Sequence, residues 1–236
     1  MGAAARHEGT RGILELRLEA GAFNAQKQFY LGVLELPLVE EAAGRFTVHA
    51  GATLLTFVAT AAGRPTYHFA FTIPENKLQQ AKEWLSRRTP VLSQNGQEVF
   101  HFPDWNADAF YFHDPAGNVA ELIARHSLQN GTAEPFNAAE ILYASEIGLV
   151  VDDVPAEVKA LGEALGLHRY RPGSERFAPV GDEHRLLILN HRDRGWWEDT
   201  PSRPYPVFAR LSGEKSAAYH SQHHPFTILV QGSDPA

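Results

Sequence analysis

Glu121 stands among apolar neighbours near the end of the stretch YFHDPAGNVAELIAR, residues 111–125. Within that stretch Asp114-Pro115-Ala116-Gly117 has the chemistry of a type I turn, with Asp at the first corner, Pro presetting φ at the second and Gly free to take positive φ. The flanking segments therefore read as one β-hairpin. Alternation along a strand puts Val119, Glu121, Ile123 and Arg125 on one face and Ala120, Leu122 and Ala124 on the other. If the second face packs on a helix, Glu121 looks into whatever the sheet encloses. A carboxylate in such a place is paired, hydrogen-bonded or bound to a metal. In TYHFAFTIP the same alternation sets His68, Ala70 and Thr72 opposite Phe69, Phe71 and Ile73, so His68 enters the same enclosure. In ILELRLEA, Glu15, Arg17 and Glu19 alternate with Leu14, Leu16 and Leu18. Two chemistries are open. An imidazole and a carboxylate such as His68 and Glu121 suit a divalent cation such as Mn²⁺, Fe²⁺, Ni²⁺ or Zn²⁺. Alternatively, His68 and Glu121 form a hydrogen-bonded pair in a polar cavity, and Glu15 is ion-paired to Arg17 or Arg125.

Around these residues stand the candidates for proton transfer and substrate contact. If the turn pairs Asp114 with Asn118, Tyr111 lies near Glu121 and can polarise a substrate oxygen or act as an acid, and His113 is the second candidate acid. Trp105, on an irregular connection at the rim, can cover a planar substrate. Arg17 and Arg125 complete the set of candidate substrate contacts. Further on, Arg194 with adjacent Trp196 and Trp197 can stack on an aromatic or anionic ligand, though burial or a dimer contact is the favoured reading. His220, His223 and His224 are read as a solvated loop before the last strand. No glycine-rich dinucleotide or phosphate loop, H-E-x-x-H or G-x-S-x-G pattern is present.

The elements that must position these residues repeat along the chain. A strand from Ile13, a helix carrying Phe23, Phe29, Tyr30 and Val33, and the strands RFTVHAG and ATLLTFVATA form a first copy. A second begins with TYHFAFTIP, continues with the amphipathic helix ENKLQQAKEWLSRR, and ends with EVFHFP and the hairpin. A third begins near Glu146 with SEIGLVVDD, the helix VPAEVKALGEALGL, and the strands RFAPVGD and RLLILNH. Between the second and third copies, QNGTAEPFNAA is polar and turn-rich and reads as a linker. With 236 residues and 44% hydrophobic content the chain can bury a sizeable core. Cys is absent, which excludes disulfides and thiol chemistry. A net charge of -7 argues against nucleic acid or an anionic membrane as partner. The opening MGAAARHEGTRG lacks the apolar core of a secretion signal and reads as a frayed terminus, so the cytoplasm is the expected location.

Internal repetition of strand-helix-strand-strand units is the strongest organisational signal in the sequence. FYFHDPAGNVAELIAR and NAQKQFYLGVLEL resemble the closing hairpin and first helix of the vicinal-oxygen-chelate superfamily, which includes glyoxalase I, bleomycin-resistance proteins and extradiol dioxygenases. The resemblance implies an α+β fold of repeated βαβββ modules forming an open cupped barrel. Residues 12–126 would form a complete two-module domain, residues 127–144 a linker, and residues 145–236 a third module with added strands. It also implies a divalent metal (Fe, Mn, Ni or Zn) held by His68 and Glu121, with Glu15 where a His is expected. The activity would be that of a lyase or ring-cleaving dioxygenase on a small substrate with vicinal oxygens. The alternative is a metal-free binding or sequestration protein of bleomycin-resistance type. An unpaired third module would expose sheet edge and apolar surface, which suggests a homodimer.

Overall fold

A computed structural model describes residues 11–232, so residues 1–10 of the stretch read as a frayed terminus lie outside the described residues. The chain forms four successive units. The first comprises β1 (Ile13–Ala20), α1 (Phe23–Gln28, continued by a wider π-type turn over Phe29–Val33), β2 (Leu38–Ala42), β3 (Arg45–Ala50) and β4 (Thr53–Ala59). The second comprises β5 (His68–Ile73), α2 (Leu78–Ser86), β6 (Phe100–Phe102), β7 (Ala107–His113) and β8 (Val119–Arg125). The third has β9 (Tyr143–Val151), α3 (Val154–Leu165), β10 (Phe177–Asp182) and β11 (Arg185–His191). The fourth has no helix and consists of β12 (Val207–Gly213), β13 (Ala217–His220) and β14 (Phe226–Gly232). In every unit the first strand runs parallel to the last: β1 with β4, β5 with β8, β9 with β11, β12 with β14. This is the α+β repeat expected from the sequence.

Pairing between units differs from expectation. Two seven-stranded sheets form, in the orders β13-β14-β12-β1-β4-β3-β2 and β10-β11-β9-β5-β8-β7-β6. The first unit joins the fourth through antiparallel β1 and β12, and the second joins the third through antiparallel β5 and β9. Residues 12–126 therefore do not close one cup between them, and residues 145–232 are not a lone module with extra strands. The physical reason is that each unit leaves the outer edge of its first strand unpaired, and nothing local specifies which other free edge it meets. Because the third and fourth units fill those edges, both sheets are completed within one chain, and the exposed half-barrel that suggested a dimer is not there.

The two sheets turn their apolar faces to a common core. Phe29, in the turn after α1, stacks on Phe112 of the second sheet with ring centroids 6.1 Å apart, while its neighbour Tyr30 meets Phe57 of the first at 4.7 Å. Helix α3, capped by the Asp153 side chain on the Ala156 N–H (2.9 Å) and closed by Gly166 at φ +67°, packs on β10 and β11 of one sheet and β13 of the other. The hairpin turn is tied in as well. Buried Asp114 accepts hydrogen bonds from Gln26, from the Tyr30 hydroxyl (3.0 Å) and from Asn118 Nδ2 (2.8 Å), which pins the β7–β8 turn of the second unit to α1 of the first.

Candidate metal centre

With their outer faces spent on the core, β5, β8 and β9 present the opposite faces to a concave space. Glu121 lies directly across from Ala70 on one side and Tyr111 on the other, and Glu146 is across from Ala70 on the far side. One row across the sheet therefore carries Glu146, Ala70, Glu121 and Tyr111, with His68 one step along β5. The small Ala70 leaves the space over which the side chains of both carboxylates and the imidazole converge. Glu146 reaches that face because of a bulge: Phe71 pairs with Ala144 but Ala70 pairs with Glu146, so Ser145 is the extra residue and the alternation of β9 is reset. Without the bulge, Glu146 would point into the core between the sheets.

His68 Nδ1 lies 3.0 Å from the carbonyl oxygen of Val119. A carbonyl only accepts, so Nδ1 carries the hydrogen and Nε2 is left with its lone pair facing inward. It sits 3.6 Å from Glu121 Oε2 and 3.9 Å from Glu146 Oε2. Two atoms that each bind one cation at ~2.0–2.2 Å can be no more than about 4.4 Å apart, and both separations meet that limit. All three side chains are buried, and their donor atoms lie within 4.8 Å of one another. The other Glu146 oxygen is held by Arg125, which is fully buried. Burial, and then the adjacent Glu146 charge, push the Glu121 carboxyl up to about 8. Burial works against a charged Glu146, but Arg125 and His68 outweigh it and hold its carboxyl below the usual range. Burial likewise opposes protonation of His68, yet the two carboxylates together raise its pKa. Two carboxylates with one guanidinium are one negative charge in excess, and such a site takes up a proton or a cation. One imidazole nitrogen and two carboxylate oxygens are hard-to-borderline donors, so the residues present fit a divalent metal.

The space these groups face is a cavity of about 670 Å³, lined also by Phe100, Trp105, Tyr111, Phe177, Ile188 and the segment 194–198. The Tyr111 hydroxyl is kept protonated, because burial and then the charges of Glu121 and Glu146 raise its pKa well above the ordinary value. Ile188 explains why three donors converge and not four. Glu121 pairs with the residue two positions after His68, and the residue paired in the same way two positions after Glu146 is Ile188 opposite Gly148.

No family model and no curated protein matches the sequence. Among solved structures, a Bacillus subtilis protein named as a candidate dioxygenase superposes with a TM-score of 0.61 at 17% identity, over 94% of this chain and 86% of that one. Glyoxalase I from Zea mays superposes with a TM-score of 0.56 at 14% identity, over 94% and 92%. The fold is the one these two solved structures have, as the resemblance read in the sequence implies. Within this fold, the residues singled out in the sequence are distributed unevenly. His68, Glu121, Tyr111 and Trp105 come together around the cavity. Glu15 does not: it lies in the other sheet, opposite Arg210 of β12, and is ion-paired to Arg17 and Arg210. Arg17 is spent on that pair and on the ring of Phe208, 4.4 Å from its guanidinium, and does not face the cavity. Arg125 is buried behind Glu146 and is not among the residues lining the cavity. His113 also lies outside the lining, with Nδ1 3.3 Å from the Asn118 carbonyl oxygen. His220 stands in β13 and pairs with Thr227 of β14 at 3.0 Å, and His224 is buried and stacks on Phe226, so of the three late histidines read as a solvated loop only His223 is exposed outside a strand. The sequence reading left Glu146 out of this group, although it opens the third copy of the repeat at the position Glu15 holds in the first. Among the described residues, no helix is long and apolar enough to cross a membrane.

Proposed function

We propose that the chain is a metal-dependent enzyme of glyoxalase or dioxygenase type that acts on a small substrate presenting two neighbouring oxygens. The observation that carries this reading is the buried His68–Glu121–Glu146 group opening onto a 670 Å³ cavity. The likeness to glyoxalase I and to a candidate dioxygenase supports both chemistries and separates neither. Bound there, an Fe, Mn, Ni or Zn ion would supply Lewis-acid polarisation of the substrate oxygens. His68 presents Nε2 because Val119 holds its other nitrogen, and Arg125 fixes one oxygen of Glu146 so that the second faces inward. Tyr111, kept in its hydroxyl form, donates a hydrogen bond to a substrate oxygen, and Trp105 covers the substrate at the rim. Segment 194–198 excludes bulk water from the opposite side.

Elemental analysis of tag-free protein purified without chelator tests the reading. Near-stoichiometric metal is expected in the wild type and in Glu15→Ala, and its loss in His68→Ala, Glu121→Ala and Glu146→Ala. Metal retained by all three cavity variants would overturn the assignment. A second reading, a metal-free binding protein, is favoured by one observation: Arg125 already supplies a fixed positive charge beside Glu146. Its mark is protein that arrives empty and refuses added metal.

A further inference from the structure

The loop between β11 and β12 was not needed to build the metal centre, yet it forms one side of the cavity. Its Trp196 ring packs 5.4 Å from His68 and lies over Gly148, where an added Cβ would come within 2.4 Å of the indole. Trp197 reaches Tyr111 and Phe100, with ring centroids 5.1 and 5.6 Å away. Arg194 lines the same cavity; its Nη1 donates to Asn190 Oδ1 at 2.8 Å and its guanidinium sits 4.6 Å from the Phe177 ring. Among the described residues it has no carboxylate within 4.0 Å, unlike Arg125, Arg17 and Arg210. Glu198, which also lines the cavity, accepts a hydrogen bond from Gln94 at 2.8 Å and is exposed. The indole N–H of Trp196 is buried without an acceptor. Arg194 is exposed on the cavity wall, so its guanidinium is open to an incoming anion. A ligand that brings a negative charge gives this guanidinium the carboxylate partner it lacks.

We propose that the cavity takes a planar aromatic carboxylate, stacked against Trp197 and anchored through its carboxylate by Arg194. This deepens the reading above by naming the ligand class of the same cavity, and it rests on that reading only for the location. Aromatic walls favour a flat ring because edge and face contacts with Trp, Tyr and Phe are available on several sides. The guanidinium favours a carboxylate because its planar fork matches two oxygens at once. Arg194 is thus a specificity-determining residue, and the loop carrying it is the part of the fold that selects the substrate.

The test is calorimetric binding of naphthalene-2-carboxylate and of neutral naphthalene-2-carboxamide to the full chain as purified. Wild type should prefer the carboxylate by about 10- to 100-fold. Arg194→Gln should bring the two probes to near parity while leaving amide binding within about twofold, which also shows that the variant is folded. Trp197→Leu should weaken both probes alike and keep their ratio. Equal binding of the probes by wild type, failure of both to bind, or a preference that survives in Arg194→Gln would overturn the proposal; the last result would put the carboxylate on a metal. Neither probe carries vicinal oxygens, so the outcome for Arg194 stands whether or not the metal reading does.

Discussion

Replacing Glu121 by Gln should make the metal-free protein more stable at alkaline pH while abolishing its capacity for metal. Glu121 is 3% exposed, and burial with the adjacent Glu146 raises its carboxyl from 4.5 to about 8. A carboxyl whose folded pKa lies above its unfolded value binds its proton more tightly in the native state. Its contribution to stability is therefore fully present below pH ~4.5, declines as pH rises, and is gone above pH ~8. At ~1.4 kcal/mol per pH unit the ceiling is ~5 kcal/mol. Titration shared with His68 and Glu146 spreads that loss over the cluster, so ~1–3 kcal/mol is the expected effect of this one group. His68, whose pKa is also raised, loses its contribution in the same direction, whereas that of Glu146, whose pKa is lowered, is lost only as pH falls. Comparing wild type with Glu121→Gln isolates the Glu121 part. Urea unfolding in chelator, followed by tryptophan fluorescence from pH 5 to 9, should show the wild type losing ~1–3 kcal/mol more than the variant over that range. With a divalent ion at 100 times its Kd the ranking should reverse, because wild type alone gains ~2.7 kcal/mol. A wild-type-to-variant difference that does not change with pH would refute the argument that Glu121 is a desolvated carboxylate crowded by a second one.

Three other perturbations probe separate parts of the structure. Arg125→Met strands Glu146 as a buried, unpaired charge and should cost ~3–5 kcal/mol in urea unfolding at pH 7, much of it recovered when Glu146→Gln is added; a single variant as stable as wild type would contradict the buried pair. Gly148→Ala places a methyl 2.4 Å from the Trp196 ring, so the loop must move. Acrylamide should quench its tryptophan emission more efficiently while metal stoichiometry is unchanged. Gly51 combines φ +57° with a Cβ position 2.0 Å from the Leu142 carbonyl oxygen, at the contact between the β3–β4 turn and the entry to β9. Gly51→Ala should lower stability by more than ~2 kcal/mol, read as a drop in Tm, and an unshifted Tm would refute that close approach.

Much of the architecture was legible because it is written in local patterns. The Asp-Pro-Ala-Gly turn, the alternation in β5 and β8 and the Pro at the start of α3 each specify their element within a few residues. The same alternation placed His68 and Glu121 on one inner face and set Tyr111 opposite Glu121, as the register shows. Less legible were the charged strand β2, whose residues are all exposed, and β12 and β13, which follow a loop that masks the return of the repeat.

What the sequence by itself determined is the repeat, the hairpin and two of the three inward-facing donors. Strand period and turn chemistry are short-range properties. Only the tertiary structure decided between Glu15 and Glu146, two glutamates at equivalent positions of their units. In β1, pairing with β12 brings Arg210 against Glu15 and neutralises it; in β9, pairing with β5 and the bulge at Ser145 bring Glu146 to His68 and Glu121. Every unit offers the same kind of free first-strand edge, so the choice of partner depends on how the whole chain packs around its common core. The chemistry available to each carboxylate follows from that choice.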